Sequence, residues 1–143
     1  MSNVSRFIKA PPDAVYRACT DLDSIARWRV PDGMTGKVDS VDIVDSVDGA
    51  TYRMSLSYPD GRFETYEATF IERVPNERIV ERIRFDAAYR AGEMTMTTSL
   101  RAVDGGTEVS IRYHGLPGSI RPEDNDEGTR QALEKLSTFV ISR

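Results

Sequence analysis

The chain has 143 residues, of which 39% are hydrophobic and 29% charged, and its formal net charge is −4. These values are typical of one soluble domain with enough chain to bury a core, which we expect to span residues 1–143. The absence of a Lys/Arg cluster argues against nucleic acid as the main partner. No apolar run approaches the ~20 residues that a membrane span requires.

The N-terminal sequence MSNVSRFIKAPPD lacks the apolar core of a signal peptide. The lone Cys19 has no second cysteine with which to form an internal disulfide. Both observations favour a cytoplasmic protein.

The first strand is predicted over residues 4–10, and Pro12 suits the start of a helix that continues to about residue 20. A second short helix follows from Asp21 to Trp28. Residues 29–37 contain one proline and two glycines and are predicted to form a loop. Alternating apolar and polar residues then predict six further strands. These strands span about residues 38–45, 51–58, 63–73, 79–85, 93–103 and 108–113.

The last predicted element is a long helix over residues 122–143. Pro122 suits its first turn, which is also rich in acidic residues that the helix dipole favours. One apolar stripe follows its length. The stripe consists of Thr129, Ala132, Leu133, Leu136, Phe139 and Val140. An amphipathic helix needs a partner, so we predict an α+β fold in which a curved antiparallel sheet of six or seven strands wraps around it.

Several stretches resemble one known superfamily over nearly the whole chain. They are RFIKAPPDAVYRACTD (6–21), IARW (25–28), TYRMSLSYPDG (51–61), MTMT (94–97), GGTEVSI (105–111) and GLPGSIRPEDNDEG (115–128). The chain resembles the START-like helix-grip (SRPBCC) superfamily, and more narrowly the bacterial relatives of the C-terminal domain of the Hsp90 ATPase activator. This resemblance implies a helix-grip fold with a cavity between the sheet and the long helix. It leaves the function open, because one fold hosts many functions.

Apolar, aromatic and methionine side chains on the inward faces could line such a cavity or could simply fill the core. Relatives often carry a bulky aromatic residue where this chain has Thr129, so the resemblance implies either extra space there or space filled by a neighbour. The predicted ligand-binding residues are Trp28, Met34, Met54, Leu56, Tyr58, Tyr66, Phe70, Glu81, Met94, Met96, Thr129, Leu133 and Leu136.

Glu81 is predicted to face the apolar side of its strand, where a carboxylate must be paired or protonated. Arg6 shares a predicted face with Val4 and Ile8 and could be the partner. Alternatively, an irregularity in the strand could expose Glu81 to solvent. The pair could grip a polar ligand group, supply an acid or base, or be purely structural. His114 is predicted to face solvent, and Cys19 to be a small buried residue with no histidine nearby in sequence to activate it.

Three functions follow from these patterns. The first is binding of a small, largely apolar molecule without catalysis. The second is a cavity enzyme of cyclase or hydrolase type that uses Glu81 and Arg6. The third is an Hsp90-type chaperone regulator or stress-response interaction domain. No cofactor motif is present, and the calcium-loop-like DNDEG (124–128) has Gly128 where an oxygen ligand is required. We expect no cofactor or metal, and a homodimer remains open.

Overall fold

The computed structural model describes residues 3–30, 35–42, 51–57, 59–61, 63–85, 92–118 and 120–141. Seven strands and three helices lie in these ranges. In chain order they are β1 (Asn3–Ile8), α1 (Pro12–Thr20), α2 (Leu22–Trp28), β2 (Thr35–Asp42), β3 (Thr51–Ser57), β4 (Phe63–Val74), β5 (Arg78–Phe85), β6 (Gly92–Val103), β7 (Gly106–His114) and α3 (Pro122–Ile141).

The strands form one antiparallel sheet in the order β1-β7-β6-β5-β4-β3-β2. From β2 to β7, each strand pairs with the next along the chain, as short connections require. β1 then closes against β7, with Val4 opposite Ile111. The sheet curls as a half-barrel with α3 against it and the two short helices following the first strand, which confirms the predicted helix-grip architecture.

One predicted boundary is wrong. β2 begins at Thr35 and ends at Asp42, whereas the glycine and proline content placed a loop at residues 29–37 and a strand at 38–45. Gly36 lies within the ladder, opposite Leu56 of β3. Pairing with a neighbouring strand has therefore overridden the low intrinsic strand preference of glycine.

The two short helices are joined tightly. The Asp21 carboxylate accepts a hydrogen bond from the Ser24 backbone N–H at 3.0 Å, and this interaction caps the N-terminus of α2. The indole N–H of Trp28 donates to the Ala18 carbonyl oxygen at 2.7 Å and ties the end of α2 back to α1. Trp28 is fully buried and packs in the core. Its position fixes the next residue, Arg29, against the centre of the sheet.

The long helix buries one face. That face comprises Thr129, Ala132, Leu133, Leu136, Ser137 and Val140. The helix lies close to α1, α2 and β1. Lys135 reaches back across this junction, where its Nζ donates to the Val30 carbonyl oxygen at 2.5 Å. Among the described residues, no helix is both long enough and apolar enough to cross a membrane.

Candidate ligand-binding site

A buried polar network occupies the middle of the sheet's inner face. The Arg29 guanidinium donates to both carboxylate oxygens of Glu81, at 2.7 and 2.8 Å. The Tyr52 hydroxyl donates to one of the same oxygens at 2.5 Å, and Arg29 also donates to that hydroxyl at 2.5 Å. Glu81 and Tyr52 are fully buried, and Arg29 is 9% exposed. Both Glu81 oxygens are therefore occupied by protein donors.

Sheet register explains why Glu81 points inward. It lies on the central strand β5, opposite Phe70 on one side and Met96 on the other, and both neighbours are buried. The inward orientation predicted from its apolar neighbours is confirmed. The predicted partner is wrong, because Arg6 is exposed on the edge strand β1 and Arg29 forms the ion pair instead. The sequence predicts a loop at residues 29–37, and a basic residue in a loop is usually exposed to solvent. Arg29 was therefore not predicted as the partner of Glu81.

Electrostatics stabilise this network in one protonation state. Burial alone would lower the pKa of Arg29, but the charge of Glu81 and its hydrogen bonds outweigh that effect and raise the pKa well above its usual value. Burial raises the pKa of Tyr52 far above its ordinary range, which keeps the phenol protonated. The network is thus a charged pair with one neutral donor attached.

A cavity of about 260 Å³, partly open to solvent, lies beside this network between the sheet and α3. It lies where β5 ends and β6 begins, next to the N-terminal turns of α3. Its wall is mostly apolar. The lining residues are Arg29, Leu56, Tyr66, Ile83, Phe85, Met94, Met96, Tyr113, Ile120, Asp124, Asn125, Gly128, Thr129 and Ala132. Arg29 is the one residue shared by the ion pair and the cavity.

The structure brings some of the sequence-predicted site residues to this wall. They are Leu56, Tyr66, Met94, Met96 and Thr129. Others are buried in the packed core and do not line this cavity. They are Trp28, Met54, Phe70, Glu81, Leu133 and Leu136. Met34 and Tyr58 lie outside the described residues. Alternation identifies the face of a strand, but it does not say how far along the strand the helix closes onto the sheet, so core and cavity positions were grouped together.

Sequence reasoning missed several polar groups of the lining. Tyr113 and Asn125 belong to it, and Thr129 connects them: its hydroxyl donates to the Asn125 carbonyl oxygen at 2.8 Å and lies 3.1 Å from the Tyr113 hydroxyl oxygen. Tyr113 alternates with exposed residues on β7, and Asn125 lies in an acidic helix turn. Neither residue was therefore predicted to line a cavity. Together with Tyr66 they place a small number of hydroxyl and amide groups on an apolar wall, which is typical of small-molecule sites.

The Tyr66 side chain is buried at the cavity wall, and this burial changes the pKa of its hydroxyl group. Burial raises the pKa of its hydroxyl to about 12, while the charge of Arg29 acts in the opposite direction. The phenol is therefore protonated at neutral pH. Its ring packs edge-on against Phe85, with 5.9 Å between the ring centroids, so its position is fixed.

Two other sequence candidates lie away from the cavity. His114 is exposed at the end of β7, as predicted. Cys19 is fully buried on α1, also as predicted, and burial raises the pKa of its thiol to about 12. Within the described ranges, no cluster of three or more His, Cys, Asp or Glu side chains could hold a metal ion.

Comparison with known proteins identifies the family. The family of Activator of Hsp90 ATPase homolog 1-like proteins matches residues 9–140, so the chain belongs to it. Among solved structures, a protein from Chromobacterium violaceum is 34% identical with a TM-score of 0.89, and the match covers 96% of this chain and 94% of that one. No curated protein matches the chain.

More distant structures share the fold. A protein from Nitrosomonas europaea is 18% identical with a TM-score of 0.76, over 98% of this chain and 93% of that one. A protein from Rhizobium leguminosarum is 23% identical with a TM-score of 0.75, over 99% and 93%. The architecture is thus common to these chains despite their low sequence identity.

Proposed function

We propose that the domain binds a small, largely apolar molecule in the cavity between the sheet and α3. The observation that carries this proposal is the cavity itself, about 260 Å³ with a mostly apolar wall and a few polar groups. Its volume lies just below the ~300–1,000 Å³ of sites for drug-sized ligands, so the ligand is small. Each square ångström of apolar ligand surface removed from water contributes roughly 25 cal/mol.

The internal methionines provide a direct test. Met94 and Met96 line the cavity, whereas Met54 is also buried but packs in the core. In protein labelled with ¹³C at its methionine methyl groups, a bound ligand is expected to shift the Met94 and Met96 resonances and leave Met54 unchanged. Suitable probes are fatty acids, naphthalene derivatives and other small aromatic compounds, and native mass spectrometry would detect a co-purified ligand. If no probe moves Met94 or Met96 and no ligand co-purifies, the proposal fails.

The enzyme hypothesis based on Glu81 and Arg6 receives no support from the geometry. Arg6 is exposed on β1, and Glu81 is enclosed by Arg29 and Tyr52 without reaching the cavity wall. An acid or base must come within hydrogen-bonding distance of its substrate. We therefore favour binding over catalysis by these two residues.

Regulation of an Hsp90-type chaperone is a second candidate, and the family match over residues 9–140 is the observation that favours it. The test is the ATPase rate of the purified Hsp90-type chaperone from the source organism, measured with increasing amounts of this protein. A saturable change in rate would support the role. An unchanged rate, together with no binding in analytical ultracentrifugation, would rule it out for that chaperone.

A further inference from the structure

We propose that the side-chain amide of Asn125 binds an uncharged hydrogen-bond acceptor on the apolar ligand, such as a ketone or ester oxygen. The inference rests on the proposed binding function, and it adds a specificity-determining residue and the chemical class of the ligand's polar group. The observation that carries it is the Asn125 Nδ2 atom. This atom is a buried donor on a residue of the cavity lining, and it has no acceptor among the described residues.

The backbone of Asn125 is held in place while its side-chain donor is not. The backbone N–H donates to the Arg121 carbonyl oxygen at 3.0 Å, and the Asn125 carbonyl oxygen accepts from the Thr129 hydroxyl at 2.8 Å. Neither bond uses the side-chain amide. The terminal torsion of asparagine has broad preferences, so a rotation can direct an N–H into the cavity. A buried donor without an acceptor is unfavourable, and a ligand that supplies an acceptor is therefore favoured.

A second donor in the lining is also without an acceptor. The terminal nitrogens of Arg29 donate to Glu81 at 2.7 and 2.8 Å, but the Arg29 Nε atom is buried and unpartnered among the described residues. Within the described lining, only Arg29 and Asn125 have a buried, unpartnered side-chain nitrogen or oxygen atom, and both atoms are donors. A ligand with acceptors therefore complements this wall better than a ligand with donors. The ion pair fixes Arg29, so Asn125 is the donor that can turn toward a ligand.

The two hydroxyl groups beside Asn125 already use their protons within the protein. The Thr129 hydroxyl has one proton, which it donates to the Asn125 carbonyl oxygen. Its oxygen can then accept the proton of the Tyr113 hydroxyl, whose oxygen lies 3.1 Å away. The Asn125 amide is therefore the donor that remains for a ligand at this end of the cavity.

The charges of the lining favour an uncharged acceptor over a carboxylate. Arg29 is the one basic residue of the described lining, and its charge is already compensated by Glu81 at 2.7 Å. Asp124, in the first turn of α3, adds a negative charge to the lining next to Asn125 in the chain. A carboxylate ligand would lose its hydration without gaining a free cation, and desolvation of an unpaired charge is costly.

Three naphthalene probes of similar shape separate the hydrogen bond from apolar burial and from charge. 2-Acetylnaphthalene carries the acceptor, 2-isopropylnaphthalene is its apolar analogue, and 2-naphthoate is its anionic analogue at pH 7.5. Dissociation constants for the purified protein can be measured from the Met94 and Met96 methyl shifts. The quantity of interest is the ratio of the isopropyl to the acetyl dissociation constant, compared between wild type and Asn125→Leu, because this comparison cancels the different hydration of the two probes.

We expect Asn125→Leu to lower this ratio by about five- to tenfold, equivalent to ~1–1.4 kcal/mol, which is the contribution of one hydrogen bond. Asn125→Asp keeps the shape of the side chain, replaces the donor with a charged acceptor and should lower the ratio at least as far. Its charge near the N-terminus of α3 suits the helix dipole, so this variant should fold. Gln131→Leu is the matched control, because it removes a side-chain amide from the same helix outside the cavity lining, and it should leave the ratio unchanged.

The side-chain amide also gives a direct spectroscopic signal. In ¹⁵N-labelled protein, the pair of side-chain N–H resonances that disappears in Asn125→Asp belongs to Asn125. 2-Acetylnaphthalene is expected to move one resonance of this pair downfield through the new hydrogen bond. 2-Isopropylnaphthalene fills the same space without an acceptor and is expected to move it less. We expect 2-naphthoate to bind at least about tenfold more weakly than 2-acetylnaphthalene, because its charge is desolvated without a free partner.

The outcomes separate the inference from the binding function. If the probes move the Met94 and Met96 methyl groups but the ratio is the same in wild type and Asn125→Leu, the inference is overturned and the binding function stands. Tighter binding of 2-naphthoate than of the ketone would overturn the selection of an uncharged acceptor. If none of the three probes moves these methyl groups, the inference fails together with the binding function for this class of ligand.

Discussion

Arg29 and Glu81 form a two-pronged ion pair inside the core, with N–O distances of 2.7 and 2.8 Å, although the two residues are 52 positions apart in the chain. The guanidinium also lies over the Trp28 ring, 5.0 Å from its centroid. This pair joins the end of α2 to the central strand β5. It also places one face of Arg29 on the cavity wall, so the structural core and the candidate site share a residue.

Removing one member of this pair is expected to cost much more than removing both. Glu81→Leu leaves the Arg29 charge buried without its partner, and we expect the free energy of unfolding to fall by about 3–5 kcal/mol. The double variant Arg29→Met with Glu81→Leu has no uncompensated charge and is expected to recover most of that loss. Urea unfolding of the three proteins measures both values.

An exposed ion pair provides the control. Arg101 and Glu108 are 2.7 Å apart with 70% and 42% of their side chains exposed, so Arg101→Met is expected to cause no measurable change in stability. Equal losses in Glu81→Leu and in the double variant would contradict the view that the buried charge dominates.

Two buried threonines on the sheet are expected to respond oppositely to the same substitution. Thr98 and Thr107 are both fully buried, but the Thr107 hydroxyl donates to the Ala10 carbonyl oxygen at 2.8 Å, whereas the Thr98 hydroxyl has no partner among the described residues. Thr98→Val should raise the free energy of unfolding by about 1 kcal/mol, and Thr107→Val should lower it by about the same amount. A loss of stability in both variants, measured by urea unfolding, would show that Thr98 has a partner such as an internal water.

Cys19 is expected to make stability depend on alkaline pH. Burial raises the pKa of its thiol to about 12 from an ordinary value of 9.0. Below pH 9 the thiol is protonated in both the folded and the unfolded chain, so its contribution is complete there. Between about pH 9 and pH 12 the unfolded chain loses this proton and the folded chain keeps it. Stability therefore falls as pH rises, by up to about 1.4 kcal/mol per pH unit for one proton.

The control for that effect is Cys19→Ala, which removes one titrating group while Tyr52 and Tyr66, whose pKa values are also raised, still contribute. We expect a shallower decline in stability above pH 9, measured by urea unfolding under reducing conditions. A slope identical to that of wild type would argue against a buried neutral thiol.

Filling the cavity from α3 is expected to block binding while leaving the fold intact. Thr129 lines the cavity, and Thr129→Trp places an indole in that space. We expect the affinity for 2-acetylnaphthalene to fall by about tenfold or more, because the lost apolar contact exceeds ~1.4 kcal/mol. Thr138→Trp makes the same substitution on the exposed side of the same helix and should bind like wild type. Unchanged binding in Thr129→Trp, with both variants folded by circular dichroism, would place the ligand elsewhere.

The architecture was predictable from sequence because it depends on periodicity. Alternation in residues 51–58 and 93–103 defined strands with one buried face, and the apolar stripe from Thr129 to Val140 required a sheet to cover. Glu81 could be placed on the inner face for the same reason. These inferences use only neighbours along the chain.

The site was less predictable because it depends on contacts between distant residues. The pairing of Glu81 with Arg29 follows from how α2 ends against the sheet, and the residues near Arg29 contain the glycine and proline that predict a loop. The division between core and cavity follows from the distance between α3 and each part of the sheet. Leu133 is 1% exposed in the core, whereas Ala132, the preceding residue, lines the cavity. The helical periodicity of the sequence places Leu133 and Ala132 on the same face of α3, so it cannot separate them.

The separation of Arg29 from Glu81 in the chain also has a consequence for folding kinetics. An apolar contact stabilises the chain in proportion to the area already buried. This ion pair stabilises the chain only after both charges have lost their water and reached hydrogen-bonding geometry. The two segments must therefore be brought together, with α1, α2 and the central strands in place, before the pair stabilises the chain. We expect the pair to form after the main barrier to folding, so that substitutions at Arg29 and Glu81 accelerate unfolding far more than they slow folding. In this protein the ion pair would stabilise the native state mainly by slowing its unfolding.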